Sequence, residues 1–333
     1  MNTVTGRFAP SPTGLLHLGN AWSFLLAWLA ARTEGGRIIL RHEDIDPARS
    51  RQTWMDAIER DLLWLGLDWD EGPGKEGLHA PYLQSRCFPL YEQALETLRA
   101  QGLIYPCYCT RKELRLLAGA PHGAADGLGD EGAAYPGTCR HLTEEERARK
   151  EAEGRKPALR LACPDDDTET FNDLVLGPQR ISLRRCGGDF ALRRSDGVWA
   201  YQLAVVVDDI RMNVTQVVRG EDILLSTPRQ LLLYRLLGAA PPAFAHIPLL
   251  HDSAGERLAK RHESLSLAAL REAGCTPDAI VGHLAHIAGL SPAPTPVSPS
   301  ALAERLKTEG PFPWHALPKG RITIPDGIEL SWK

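Results

Sequence analysis

Three short stretches of the chain hold residue types whose spacing could do chemistry. The first, RFAPSPTGLLHLGN at residues 7 to 20, carries a strand ending at Phe8 through Pro10, Ser11, Pro12 and Gly14 to the start of a helix. A helix N-terminus offers unpaired N–H groups and partial positive charge, and so a cradle for phosphate. His17 in the first turn would face those phosphates, and Gly19 would let a nucleotide approach the backbone closely. Taken alone, His-x-Gly at a helix start is more often a capped turn with a surface histidine. The second stretch, HDSAGERLAKRHESL at residues 251 to 265, sets Lys260 in a polar loop directly after the apolar run ending at Leu250. By itself this reads as a solvated basic turn. Paired with His17 across a two-part sheet, a Lys on a mobile loop can meet charge developing on a transferring phosphoryl group. The third stretch contributes Cys107 and Cys109 as a Cys-x-Cys pair and, further on, Cys139. Three thiols at this spacing suggest structural zinc in a closed tetrahedron, with scattered free thiols as the alternative. Cys87, Cys163, Cys186 and Cys275 show no such grouping.

The elements that must position these residues alternate. Residues 3 to 9 read as a strand, 15 to 33 as a helix, 37 to 43 as a strand and 50 to 66 as a helix with Ser50 as its N-cap. Strand, helix, strand implies a parallel sheet. A second passage of this kind follows: WAYQLAVVVDDI at 199 to 210, a strand ending near Arg219, a helix from about Ser226 and Pro228, then the apolar run AFAHIPLL. The two passages read as one sheet interrupted by residues 104 to 198, which hold the cysteine cluster, a Gly/Ala-rich stretch and the strand-like RISLRR and DFALRR. Beyond residue 260 come a helix near 277 to 289, the linker SPAPTPVSPS and a short tail.

Composition bounds the rest. With 333 residues, 43% apolar and 24% charged, the chain can bury a sizeable core and form two or three domains. A formal charge of −4 gives no global basic footprint, so any nucleic-acid partner needs a local Arg-rich face. AWSFLLAWLAA at residues 21 to 31 could pass for the core of a signal peptide, but it is too short to span a bilayer. The cytosol and no membrane partner are expected, and seven cysteines are too sparse for a disulfide scaffold.

The opening stretch resembles the signature of the class I glutamyl-tRNA synthetases, with residues 17 to 20 (HLGN) standing where that family has its HIGH motif and RLAKR at 257 to 261 where it has KMSKS. RHEDIDPAR at 41 to 49, and Tyr201 with VVVDD (205 to 209) and VVRGED (217 to 222), follow in the family's order. Ala259 and Arg261 replace the family's two serines and Arg257 its first lysine. The 73 residues 261 to 333 are too few for the anticodon-binding region of a full synthetase, so the chain looks like the truncated paralogues that place glutamate on the queuosine base of tRNA(Asp). Val205, where standard synthetases typically carry Asn, and the ending YPGTCR fit that subgroup.

The resemblance implies an α/β fold: a Rossmann-type class I catalytic domain (1–103 and 199–260) split by a zinc-bearing, acceptor-like insertion (104–198), then a helical stem-like extension and tail (261–333). It implies activation of L-glutamate by ATP with Mg²⁺ and without tRNA, followed by transfer to queuosine-bearing tRNA(Asp). His17 and Lys260 would be catalytic and, with Gly19 and Asn20, would bind ATP. Arg7 would grip the side-chain carboxylate and Glu43 the ammonium, while Tyr201, Arg219, Ala9 and Ser11 complete the pocket. Without the resemblance, Arg7 and Glu43 read as partners across neighbouring strands and Tyr201 as half-buried core. One zinc per chain would be held by Cys107, Cys109, Cys139 and Tyr135, with His141 the competing fourth ligand. RKELR (111 to 115), RARK (147 to 150) and LRR (192 to 194) are candidate RNA contacts, and a monomer is expected. The alternatives are a truncated synthetase charging a tRNA 3′ end, another nucleotidyltransferase using His-x-Gly, and a zinc-bearing RNA-binding protein without activity.

Overall fold

A computed structural model describes residues 3–75, 77–110, 112–114, 135–164, 167–258 and 265–332. Strand β1 (Thr5–Phe8) runs into helix α1 (Leu18–Thr33), which returns to β2 (Arg37–Leu40), parallel to β1 with Arg7 opposite Ile39. The return is tight, because a Cβ on Gly36 would lie 2.4 Å from the Val4 carbonyl oxygen. After helices α2 (Gln52–Trp64) and α3 (Phe88–Ala100) and the intervening segment 104–198, helix α5 (Tyr201–Arg211) leads to a second parallel pair, β8 (Gln216–Gly220) and β9 (Ala243–Ile247), joined by α6 (Thr227–Leu236). The Thr215 N–H donates to the Thr5 carbonyl at 2.9 Å and the Thr5 N–H to Thr215 Oγ1 at 2.8 Å, so the two pairs abut along β1 and β8.

Alternation along these strands explains the burial. Ile38 and Leu40 enter one core and Ile39 the other, while Val218 and Val217 divide in the same way, as expected of a parallel sheet covered on both faces. Helix α1 fills the first core and is apolar nearly all round, with Ala21, Trp22, Leu25 and Leu26 buried. The run 21 to 31, which resembled a signal-peptide core, is therefore the middle of a core helix. Among the described residues no helix is long and apolar enough to cross a membrane.

Between the halves, β3 (Ile104–Cys107), β4 (Ala158–Leu161) and β7 (Phe190–Arg193) form an antiparallel sheet, preceded at β4 by the exposed helix α4 (Glu144–Ala152). The hairpin β5 (Thr168–Asp173) and β6 (Gly177–Ser182) packs on β9, with Leu174 N donating to the Phe244 carbonyl at 2.8 Å. Leu161, Leu183 and Phe190 share the second core with Ile39 and Leu231, while Tyr105, Cys107, Tyr108 and Cys139 form a small buried cluster of the segment's own. Strand β10 (Leu250–His251) pairs in parallel with β11 (Ile322–Thr323), after helices α7 (Leu267–Glu272), α8 (Pro277–Ile287) and α9 (Pro299–Glu309).

Two local expectations change. Helix α2 starts at Gln52 with Arg51 as an N-cap lacking a side-chain hydrogen bond, so Ser50 does not cap it. The Arg51 N–H is held by the Pro12 carbonyl, which sets the start one residue later. Helix α1 begins at Leu18 rather than residue 15, because His17 is extended (φ −115°, ψ 170°) and Leu16 accepts a hydrogen bond from the Leu267 N–H at 2.9 Å.

Candidate active site

A cleft of about 590 Å³ opens where β1 and β8 end and α1 begins. In open α/β sheets such a crevice, beyond the carboxyl ends of strands at a change of strand order, is where ligands bind. Arg7, Ala9 and Ser11 enter it from the end of β1, and His17, Gly19 and Asn20 from the start of α1. Glu43 enters beyond β2, Tyr201 from the first turn of α5 and Arg219 from β8. The ends of β1 and β2 are bound together by Arg41 N to the Phe8 carbonyl and Glu43 N to the Pro10 carbonyl, each 2.9 Å.

His17 is the N-cap of α1 rather than a first-turn residue. Its Nδ1 accepts from the Gly19 N–H at 3.1 Å, and Asn20 Oδ1 accepts from the His17 N–H at 3.0 Å. With Nδ1 used as an acceptor, the neutral ring carries its proton on Nε2. A Cβ on Gly19 would lie 3.0 Å from the imidazole, so this glycine also makes room for the capping ring. Lys260 and Arg261 lie outside the described residues. Their flanks do not: Leu258 lines the cleft and Ser266 pairs with His17 in an antiparallel bridge. Arg257 lines the cleft as well and forms an ion pair with Asp222.

Arg7 and Glu43 do not pair with each other across the strands. Arg7 Nε lies 3.6 Å from Asp209 Oδ1, and among the described residues its guanidinium makes no hydrogen bond. Glu43 Oε1 accepts from Arg41 at 3.1 Å, and Arg41, wholly buried, also bonds Asp209 at 2.7 Å and lies 3.9 Å from Asp208. Burial pushes the Glu43 carboxyl up, with Arg41 and Arg7 opposing. Burial likewise opposes charge on Arg41, but Asp209, Asp208 and Glu43 overcome it and hold this guanidinium well above its ordinary value. Among the described residues Arg219 makes no ion pair: its hydrogen bonds go to His246 Nε2, Gln230 Oε1 and Thr227 Oγ1, and burial lowers its pKa, with Asp209 opposing through space. Sequence reasoning gave no role to Arg41, Asp208, Asp209 or His246. Charged residues inside otherwise apolar runs, in RIILRHE and VVVDD, were the available signal.

The cleft can therefore offer two guanidiniums to carboxylates, one carboxylate to an ammonium and a capped helix N-terminus to phosphate.

A second cluster lies on the intervening segment. The Sγ atoms of Cys107, Cys109 and Cys139 lie within 4.8 Å of one another and could hold a metal ion. The Tyr135 hydroxyl is 3.3 Å from Cys107 Sγ and 3.7 Å from Cys109 Sγ, and Cys109 and Cys139 Sγ are 3.6 Å apart. Tetrahedral Zn–S bonds of 2.3 Å would set sulfurs about 3.8 Å apart, so the three thiols and the phenol form a donor set of the right size. His141 is exposed and is not among the converging ligand atoms. The Cys107 thiol is held down at about 4, chiefly by the hydrogen bond from Cys109 and also by Arg160, which lies over the Tyr135 ring.

Of the basic runs, Arg147, Arg149 and Lys150 sit on exposed α4. Arg193 pairs with Glu92 and stacks on Trp199, and Arg194 pairs with Asp196 and Asp46. Arg111 and Arg115 lie outside the described residues.

The family model for class I tRNA synthetases (E and Q), catalytic domain, matches residues 3–295. The chain is 60% identical over 305 residues to the glutamyl-Q tRNA(Asp) synthetase of Nitratidesulfovibrio vulgaris, covering 92% of each chain. It is 57% identical over 299 residues to the protein of that name from Symbiobacterium thermophilum, covering 90% of this chain and 91% of that one. The crystal structure of a glutamate-tRNA synthetase from Elizabethkingia anophelis superposes with a TM-score of 0.82 at 28% identity, over 99% of this chain and 70% of that one.

Proposed function

The chain belongs to the class I tRNA synthetases (E and Q), and from that premise we propose that it activates L-glutamate with ATP, without tRNA, and transfers the glutamate to the queuosine base of tRNA(Asp). The observation that carries this reading is a single cleft holding Arg7, Arg219, Glu43 and Tyr201 beside the His17 cap, in a chain aligned along nine-tenths of two relatives named for glutamyl-Q.

In the first step a glutamate α-carboxylate oxygen attacks the α-phosphorus of ATP, which enters with its Mg²⁺. The P–O bond to pyrophosphate breaks, leaving glutamyl-adenylate. Arg7 holds the side-chain carboxylate, Glu43 takes the ammonium, and Tyr201, Arg219, Ala9 and Ser11 complete the pocket. His17 Nε2–H, Gly19, Asn20 and the α1 N-terminus receive phosphate oxygens, and Lys260 meets the charge that develops there. In the second step the queuosine hydroxyl takes the glutamyl group and AMP leaves.

Zinc on Cys107, Cys109, Tyr135 and Cys139 ties the start and end of the cysteine segment together as a structural ion. That segment, 104–198, serves as the insertion between catalytic halves 1–103 and 199–260, and Arg147, Arg149, Lys150, Arg193 and Arg194 supply RNA contacts. The reading is tested by transfer of labelled glutamate to tRNA(Asp) with and without queuosine. Label on the queuosine tRNA, stable to removal of the 3′-terminal nucleoside, is expected; label lost with that nucleoside favours ordinary aminoacylation.

A further inference from the structure

Arg219 reaches the cleft from a fully buried polar chain that begins on the other side of β9. Asp173, at the end of β5, is 1% exposed. Its Oδ1 accepts from the Val175 and Leu176 N–H groups at 3.0 and 2.9 Å, and both its oxygens lie 3.2 Å from the His246 N–H. Its Oδ2 lies 2.6 Å from His246 Nδ1. Surrounded by N–H donors, this carboxylate is ionised. Burial alone would raise its pKa, but the hydrogen bonds from His246, Leu176 and Val175 bring it below the ordinary value.

An ionised carboxylate only accepts, so the network assigns the imidazole proton to Nδ1. His246 Nε2 is then a lone pair, 3.0 Å from Arg219 Nε, and accepts its hydrogen. Thr227 Oγ1 accepts from the Arg219 guanidinium at 2.7 Å and lies 3.1 Å from His246 Nε2, beside the lone pair that Arg219 Nε–H occupies. Gln230 Oε1 takes another Arg219 hydrogen at 2.8 Å while its own amide donates to Gln202 at 2.9 Å. Among the described residues every direct hydrogen-bond acceptor on Arg219 is neutral; Asp209 acts on it only through space, and Asp173 reaches it through the imidazole.

We propose that Asp173 and His246 are positioning residues for amino-acid binding: as a buried carboxylate–imidazole pair they fix the Arg219 guanidinium while leaving its charge for the substrate carboxylate. This rests on the glutamate reading of the cleft. It also makes the β5–β6 hairpin, remote in sequence from every other pocket residue, part of what sets glutamate affinity. A protonated or flipped imidazole would aim a second N–H at Arg219 Nε–H and turn the guanidinium out of register.

The test is Asp173→Asn. The amide oxygen can still accept from Val175 and Leu176, but Nδ2 now faces His246 Nδ1 and drives the ring proton to Nε2, against Arg219. In ATP–pyrophosphate exchange the glutamate KM should rise about tenfold to a hundredfold, as second-layer substitutions typically cost. The ATP KM should stay within about twofold, the signature of an effect confined to one substrate. A purely structural role predicts instead a smaller active fraction with both KM values unchanged, and that result overturns the proposal. The wild-type chain gives a second measurement that needs no variant: ¹⁵N-histidine NMR at pH 7 should show His246 protonated on Nδ1 alone, and a ring protonated on Nε2 contradicts the assignment. Wild-type exchange that does not depend on glutamate would fail the functional reading instead, leaving the tautomer to decide the pair.

Discussion

Two buried arginines, Arg41 and Arg219, stand near the ends of β2 and β8 and are treated in opposite ways. Arg41, with no exposed surface, is ringed by Glu43, Asp209 and Asp208. Arg219, also buried, is held by an imidazole, a hydroxyl and an amide. A buried charge whose compensation is built into the chain does structural work, and removing it leaves its carboxylates unpaired. A buried charge held only by neutral acceptors keeps its field for a ligand. Arg7 stands between these cases: among the described residues it has one distant ion pair, to Asp209, and no hydrogen bond from its guanidinium. The lesson is that the partners of an arginine, more than its burial, separate scaffold from pocket.

The comparison breaks if the two kinds of arginine respond alike to substitution. The largest effect is expected for Arg7→Leu, which should cut glutamate-dependent exchange by about 10³-fold, the scale of truncating one partner of a buried charge pair, while circular dichroism remains native. Arg41→Met should act on stability instead, lowering the unfolding free energy in urea by about 3–5 kcal/mol because Glu43 and Asp209 lose their cation. A variant as stable as the parent would remove the distinction. Lys260→Ala should lower adenylate formation by about 10²-fold, as loss of one preorganised donor does elsewhere. At the cysteine cluster, Tyr135→Phe should release zinc, as measured by atomic absorption after dialysis, whereas His141→Ala should retain it. The reverse result would exchange their roles.

Much of this was legible in the sequence because it is local. Alternating apolar runs mark β1, α1 and β2, and the His-x-Gly start of α1 can be read from its own residues. Arg7, Glu43, Tyr201 and Arg219 came from the resemblance, and the cleft does bring them together. What could not be read depends on distant pairing. Arg41 meets Asp209 across 168 residues and Asp173 meets His246 across 73, and no period or motif announces either contact. The start of α2 was misplaced for the same reason, since the Pro12 carbonyl, far back in the chain, decides where Arg51 turns into the helix. The cysteine pattern named its thiols and the resemblance named Tyr135 with His141 as competitor; the fold adds that the Tyr135 hydroxyl lies beside the thiols while His141 is exposed.

The central claim is that one cleft holds an acidic amino acid between guanidiniums against the α-phosphate of ATP. ATP–pyrophosphate exchange by the full chain, without tRNA, with L-glutamate, L-glutamine or L-aspartate in turn, tests it most directly. Exchange driven by glutamate and by neither of the others is the predicted result. Exchange that proceeds without any amino acid, or equally with glutamine, would contradict it.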